Sequence, residues 1–441
     1  MKKLIPLFLC FILITKLNAQ NRQDQLDSLI NAYTVSNLFH GSVLVAHKGE
    51  VLMHKGYGYR DAGNKQRHDT ASIFQIGSVT KQFTAALILK LQELGKLSVN
   101  DRLTKYFPDY PNGDKITIRH LLNHTSGIFN YTANRGFMEK EVADIKTSEY
   151  MISLFKDKPL DFEPGEKYNY SNSAYLLLGY IAEKAGGKSY TQQMHEWIFR
   201  PLGMRRSGFN FTELKHPSKA IGYTFITADT THKAPIVDST VSGAAGAVYS
   251  TTGDLYSWAK AVLDGNILSD NSWAEALKPG KQNYGYGWVI DSMHTRRVYH
   301  HSGGIHGFNS NIAIFPEEGS VVILLSNVNT SVLGKITNEI ASVVFDVQQT
   351  PTAKVDLELL KSYEGNYQIT PQFILNVLVV NGELTVQPTA QPRLELIAES
   401  PVKFRLKLVE AGIEFTKDDS GKVTGLTLTQ AGRTLPAKRI D

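Results

Sequence analysis

The 441-residue sequence has a single cysteine, Cys10, which lies in an apolar stretch near the amino terminus. A disulfide within the chain is therefore excluded, and a catalytic thiol further along the chain is excluded with it. There is no basic run of the length that lines a nucleic-acid groove; Lys and Arg total 47 against 42 Asp and Glu, a net charge of +5. The apolar run from Leu4 to Thr15 is shorter than the roughly 20 residues that span a bilayer. No internal repeat or low-complexity tract is present. With 42% hydrophobic and 20% charged residues, the composition excludes wholesale disorder.

The first residues do follow an order of their own. Lys2 and Lys3 precede the apolar run, and Leu17-Asn18-Ala19 precedes Gln20. This is the arrangement of a secretory signal peptide over 1–19, cut after Ala19. Cleavage removes Cys10 and three lysines, Lys2, Lys3 and Lys16, so that Lys and Arg fall from 47 to 44 and the net charge from +5 to +2. The expectation is a periplasmic or secreted protein with no stable membrane anchor after cleavage. Cys10 follows the bulky Leu9, which argues against a lipid-anchored form.

Apolar residues at Leu26, Leu29, Ile30 and Tyr33 predict a helix over 24–38. Two strands follow, 42–46 and 51–55, joined by His47-Lys48-Gly49-Glu50. A helix-rich middle runs from about 78 to 263, and strands return at 286–290, 297–301, 311–315 and 321–326 before a helix over 331–345. This is an α+β pattern: an antiparallel sheet built from both ends of the segment, flanked by helices, with a helical lobe from its middle. The expected domain covers 20–347. A polar linker over 348–356 precedes a β-rich domain over 357–441, whose strands at 373–380, 384–387, 402–408, 413–416 and 423–428 and turns at Asn381-Gly382 and Ser420-Gly421 predict a small all-β barrel.

Four tetrads read S-x-x-K: Ser78–Lys81, Ser153–Lys156, Ser257–Lys260 and Ser400–Lys403. Only context separates them. Phe83, Leu87, Leu91 and Leu94 place Ser78 at the head of an amphipathic helix that ends at Gly95. One helical turn brings the Lys81 amine to the Ser78 hydroxyl, and the unpaired N–H groups of the first turn favour developing negative charge. That suits nucleophilic catalysis, although a capping serine beside a solvated lysine has the same local pattern. Ser153 and Ser257 fall inside ordinary helices, and Pro401 stops any helical turn after Ser400.

Two further segments carry chemistry. In Tyr170-Ser171-Asn172, extended chain points the phenol and the amide to one side, as a proton-transfer group beside a positioning group, while Ser171 or Asn172 also suits a helix cap. In the segment from His300 to Ser310, an edge strand carries His301 and is followed by Gly303-Gly304, where a substrate backbone could approach closely. Adjacent histidines face opposite sides of a strand and no carboxylate shares the segment, so it does not read as a metal site.

Together, Ser78-Val79-Thr80-Lys81, Tyr170-Ser171-Asn172 and His301-Ser302-Gly303 resemble the serine β-lactamase and penicillin-binding-protein superfamily, above all its class C β-lactamase-like branch. LLNHTSGI at 121–128 and the segment 246–260 are similar to further family landmarks, and the tail is similar to an appended lipocalin-like β domain. The resemblance implies a β-lactamase/transpeptidase-like fold and an acyl-enzyme on Ser78, with Lys81 as its activator and Tyr170 as general base and acid. It also implies Asn172 as a substrate-positioning residue, and an oxyanion hole from the Ser78 and Gly304 backbone N–H groups. His301 and Gly303 would line the substrate site, with no cofactor and no metal. His301 stands where class C β-lactamases carry lysine, which implies an esterase or D-amino-acid peptidase acting on a small ester, amide or peptide. A penicillin-binding peptidase or weak β-lactamase is the nearest alternative. A non-catalytic sensor of cell-wall fragments and a metal-dependent hydrolase are competing classes.

Overall fold

The computed structural model describes residues 6–227, 229–347, 352–430 and 432–441, with side chains from residue 21 onward. Helix α1 covers Pro6–Val35, so helical backbone starts well before the predicted residue 24. The side chains of the expected leader, and residues 348–351 of the expected linker, lie outside the described residues. Among the described residues, no helix is long and apolar enough to cross a membrane.

The chain divides into two compact units. One comprises Phe39–Leu333 with the chain through Asp27; the other comprises Ser28–Leu38 with Gly334–Asp441. The division therefore falls at Leu333/Gly334, ahead of the polar segment over 348–356. Within the first unit, β1 (Gly41–His47), β2 (Glu50–Tyr57), β3 (Val289–Met293), β4 (Arg296–Ile305), β5 (Phe308–Phe315) and β6 (Ser320–Ser326) form one sheet in the order β2-β1-β6-β5-β4-β3. Every pairing is antiparallel, and Gly41 of β1 lies opposite Ser326 of β6. The predicted His47–Glu50 connection is a tight turn with Lys48 at φ +52° and Gly49 at +79°, the doubly positive geometry that matches strand twist.

Helices α2 (Thr80–Glu93), α3 (Asn172–Gly186), α4 (Ser239–Gly246) and α5 (Thr252–Leu263) supply the lobe that was expected from the middle of the chain. Phe83, Leu87 and Leu91 of α2 are fully buried, and Phe83 packs on Trp258 of α5 with ring centroids 4.4 Å apart. The Trp258 indole donates to Gln82 Oε1 at 2.9 Å, which satisfies a polar group inside this core. Leu94, expected on the same face, is 48% exposed because the helix has already ended. Gly95 at φ +67° donates to Gln92 O and Lys96 donates to Leu91 O, a Schellman stop.

The second unit contains α6 (Leu333–Val344) from its second residue onward, α7 (Leu357–Ser362) and a closed barrel of eight strands. In this unit Tyr33 donates to Glu339 of α6 at 2.7 Å. The barrel strands are Gly365–Thr370, Phe373–Val380, Glu383–Pro388, Leu394–Ala398, Lys403–Leu406, Ala411–Lys417, Val423–Gln430 and Arg433–Arg439. Closure pairs the first with the last and leaves the sheet without an edge. Tyr363, Tyr367, Phe404 and Phe415 fill its core, with Tyr363 stacked on Phe415 at 4.0 Å.

Candidate active site

Ser78 stands in a single 3-10 turn, Gly77–Val79, immediately ahead of α2. Neither this turn nor α2 is capped by a side chain, so the hydroxyl of Ser78 is not consumed as a helix cap. The turn is pinned on both flanks: Ile76 N–H donates to Val248 O at 3.0 Å, and Ser310 Oγ donates to Ile76 O at 2.7 Å. Gly77 has φ +50°, and a Cβ there would stand 2.8 Å from Gly304 N. A Cβ on Gly303 would stand 2.0 Å from Ile76 O and 3.0 Å from Ser78 N. Glycine at both positions is what lets the serine turn lie against β4.

Strand β4 is not an edge strand along its whole length, as the sequence suggested, because β3 pairs with it. That pairing stops at His300, so His301–Ile305 form a local edge on that side.

Lys81 is wholly buried, and its amine meets Ser78 Oγ at 3.1 Å, Asn172 Oδ1 at 2.8 Å and Ala245 O at 2.8 Å. It also lies 4.7 Å from the centre of the Tyr170 ring. Burial holds its pKa well below the ordinary lysine value. Two of the three partners can only accept, whereas Ser78 can donate. The ammonium form would meet all three contacts with three N–H groups; in the neutral form that burial favours, two N–H groups serve Asn172 and Ala245 and the lone pair can turn to the Ser78 hydroxyl.

Burial raises the Tyr170 pKa above the ordinary phenol value, and the nearby Ser78 hydroxyl only partly offsets this. Both shifts favour the uncharged forms of Lys81 and Tyr170. Asn172 opens α3, and Ser171 caps that helix by accepting from Ala174 N–H at 3.4 Å. The capping role and the same-side placement of Tyr170 and Asn172 thus coexist. Asn172 is held by its own N–H to Asn130 Oδ1 at 3.1 Å and by its side-chain amide to Thr132 Oγ1 at 3.3 Å.

His301 joins the cluster but in a different posture from the one expected. It is 5% exposed, its Nδ1–H donates to Ser302 O at 2.6 Å, and its Nε2 accepts from the Tyr284 hydroxyl at 2.9 Å. Burial first, then the Lys81 charge, lower its pKa to about 3. Both ring nitrogens are thus engaged within the protein, by Ser302 O and by the Tyr284 hydroxyl. Gly303 and Gly304 remain against the Ser78 turn.

The structure thus brings Ser78, Lys81, Tyr170, Asn172, His301, Gly303 and Gly304 into one place. Sequence reasoning missed Tyr284, Tyr175, Ala245 and His124. Tyr284 is fully buried among His301, Tyr170 and Tyr175, and its signal was the aromatic-glycine alternation Tyr284-Gly285-Tyr286-Gly287-Trp288. The other serine-lysine tetrads are not sites. Ser153 donates to Tyr150 O at 2.7 Å, Ser400 accepts from Lys403 N–H at 3.1 Å, and Ser257 lies on α5 with Lys260 exposed. Among the described residues, no group of three or more His, Cys, Asp or Glu is placed to hold a metal ion.

Comparison with known proteins places this geometry in context. A family profile described as Beta-lactamase matches residues 27–343. Penicillin-binding protein 4* of Bacillus subtilis (strain 168) is 30% identical over 428 residues, covering 90% of this chain and 94% of that protein. Among solved structures, the octameric penicillin-binding protein homologue from Pyrococcus abyssi superposes with a TM-score of 0.70 at 25% identity, covering 94% of this chain and 99% of that one. A D-stereospecific amidohydrolase from Streptomyces sp. superposes with a TM-score of 0.62 at 25% identity, covering 74% of this chain and 98% of that one.

Proposed function

This chain belongs to the β-lactamase family, and from that premise we propose that it is an exported serine hydrolase that opens esters or amides through an acyl-enzyme on Ser78. One observation carries the reading: a buried amine, depressed toward neutrality, faces the Ser78 hydroxyl at 3.1 Å. Serine needs a base to attack a carbonyl near neutral pH, and a neutral lysine supplies one.

The proton of Ser78 passes to Lys81 as Oγ bonds to the substrate carbonyl carbon and the carbonyl π pair moves onto oxygen. The backbone N–H groups of Ser78 and Gly304 stabilise that oxyanion. Collapse re-forms the carbonyl and breaks the bond to the leaving oxygen or nitrogen. Tyr170, whose ring lies 4.7 Å from the Lys81 amine, relays the lysine's proton to the leaving group. Water enters by the same route in reverse and releases the acid. Asn172 holds the Lys81 amine throughout. No step draws on a metal or an organic cofactor.

Within this class we favour an esterase or a D-amino-acid amidase or peptidase. The neutral His301 supports it, since no cation stands at that position to attract a substrate carboxylate. The likeness to a D-stereospecific amidohydrolase points the same way. The penicillin-binding relative favours a second reading, a peptidase acylated by β-lactams. Export is supported by the Lys2-Lys3, apolar and Ala19 order of the amino terminus.

The test is a fluorophosphonate probe on the full chain and on Ser78→Ala, followed by p-nitrophenyl esters, D-alanyl amides and a chromogenic cephalosporin. The wild type labels and turns over esters or amides, and Ser78→Ala does neither. Equal labelling of the two proteins overturns the assignment. Labelling without turnover of any substrate replaces the enzyme with a sensor.

A further inference from the structure

His124 takes no part in the reaction above, yet its contacts converge on Tyr170. It stands at φ +59°, the left-handed region that few residues other than glycine enter and that histidine enters more readily than most. This backbone turn lets a single residue clasp the 169–171 segment twice. Its carbonyl accepts from Asn169 N–H at 3.0 Å, and its ring Nδ1 accepts from Ser171 N–H at 3.2 Å. The two bonded residues flank Tyr170. The Tyr170 ring itself lies 4.3 Å from the imidazole, centroid to centroid.

The same imidazole is wholly buried, with Tyr284 at 4.7 Å and Tyr175 at 5.0 Å on its other sides. Acceptance at Nδ1 places the proton on Nε2, and among the described residues Nε2 has no hydrogen-bond partner. A buried polar atom without a partner costs stability, and so does a left-handed residue with a side chain. Packing alone would be served better by another residue. What the histidine provides is a rigid acceptor at the one place where the backbone beside Tyr170 needs it.

We infer that His124 is a positioning residue that fixes the Tyr170 hydroxyl against Ser78 and Lys81 by clasping the backbone on both sides of Tyr170. The inference rests on the proposed role of Tyr170 as proton carrier. The groups facing the imidazole are Lys81, His301, Tyr168, Tyr170, Tyr175 and Tyr284. Removing the ring admits water beside Lys81, which returns its proton affinity toward that of an exposed lysine.

Two variants separate positioning from bulk stability. His124→Gly keeps the left-handed turn and the bond to Asn169 but removes the acceptor for Ser171. His124→Asn tolerates the same backbone and sets an amide oxygen near the place of Nδ1. Steady-state kinetics against pH on the best p-nitrophenyl ester, with melting temperatures, are measured for both, for the wild type and for Ser78→Ala. In His124→Gly, kcat falls by about 10- to 100-fold with KM little changed, as for a misplaced catalytic group. Its acid limb moves to higher pH, and His124→Asn recovers most of the lost rate. Wild-type kcat in His124→Gly, a profile that is lowered without moving, or an Asn variant no better than Gly overturns the inference. If Ser78→Ala is inactive while His124→Gly is unaffected, the inference alone fails. If Ser78→Ala turns over like the wild type, the reading of the site fails and takes the inference with it.

Discussion

The Lys81 amine lies 2.8 Å from Asn172 Oδ1, so the neutral partner of a wholly buried lysine is an amide and not a carboxylate. That choice governs the charge of the lysine. A carboxylate at the same place would favour the ammonium form and raise the lysine pKa. Asn172→Asp is therefore expected to lower kcat/KM by about 100-fold or more, within the range of general-base effects. The acid limb of its pH–rate profile moves to higher pH, because the amine now loses its proton later. A pH–rate series on wild type and variant checks both effects, and an unmoved limb would contradict them.

Lys81→Arg is the complementary change. A guanidinium stays protonated at every working pH and cannot take the Ser78 proton. We expect turnover and fluorophosphonate labelling at neutral pH to fall by about 100- to 10,000-fold. The side chain must also fit a pocket filled by Ser78, Asn172 and Ala245, so the melting temperature is read alongside. A variant that retains labelling would move the base elsewhere.

The two adjacent glycines of β4 should differ sharply on substitution. A Cβ on Gly303 collides with Ile76 O at 2.0 Å, a backbone atom of the serine turn, whereas a Cβ on Gly304 meets nothing nearer than Asn309 Nδ2 at 3.5 Å. Gly303→Ala is expected to cost about 1–3 kcal/mol of stability through overpacking and to displace the Ser78 turn, with loss of activity. Gly304→Ala keeps its N–H and should retain activity within a few-fold. Thermal melts and ester turnover on the pair test this, and equal effects would refute it.

Buried histidines set an acid limit on stability. His301 and His68 are lowered to about 3 and His40 to about 4, in each case mainly by burial, against an ordinary value of 6.5. The unfolded chain takes up protons at these sites below pH 6.5, and the native state does not until near their folded values. Stability from these groups is thus complete above pH 6.5 and is lost progressively as pH falls toward 4 and 3. Asp61, Glu93 and Asp101 are also depressed, but the stability they contribute is complete above the ordinary carboxylate range and is lost only as pH falls through it. Melting temperature at constant ionic strength should already decline between pH 6.5 and pH 5. A flat curve there would mean that the imidazoles titrate freely.

Some of this was legible because the cause is local. The Ser78–Lys81 contact follows from helical spacing, and the Asn381-Gly382 hairpin follows from a dipeptide that tolerates φ +52° and +85°. The alternating barrel strands and the sheet strands were found for the same reason, to within a few residues. Gly365–Thr370, Leu394–Ala398 and Arg433–Arg439 were not: Leu394–Ala398 is short, Arg433–Arg439 carries Pro436 inside it, and the pairing of the first with the last is decided by barrel closure. The engagement of His301 by Tyr284 was equally invisible. Nothing in the local chemistry of either residue announces that the two side chains meet in a buried cluster, and an exposed imidazole has the same sequence as a buried one. His124 was legible only as part of a segment, since its role depends on a chain 45 residues away.

The pairing of Gly41 with Ser326 has a consequence for how the protein is made. On a ribosome, β1 emerges early and waits for β6 through the synthesis of the whole lobe. The serine turn emerges before its neighbours Tyr170, Ala245 and Gly303 exist. Under the proposed reading, reactivity of Ser78 is a property of the finished sheet, acquired late, since contacts so distant along the chain form only after the loops between them have closed. A nascent or truncated chain that ends before β4 carries Ser78 and Lys81 but no strand to hold the turn. It should be inert toward the acylating reagents that mark the completed molecule.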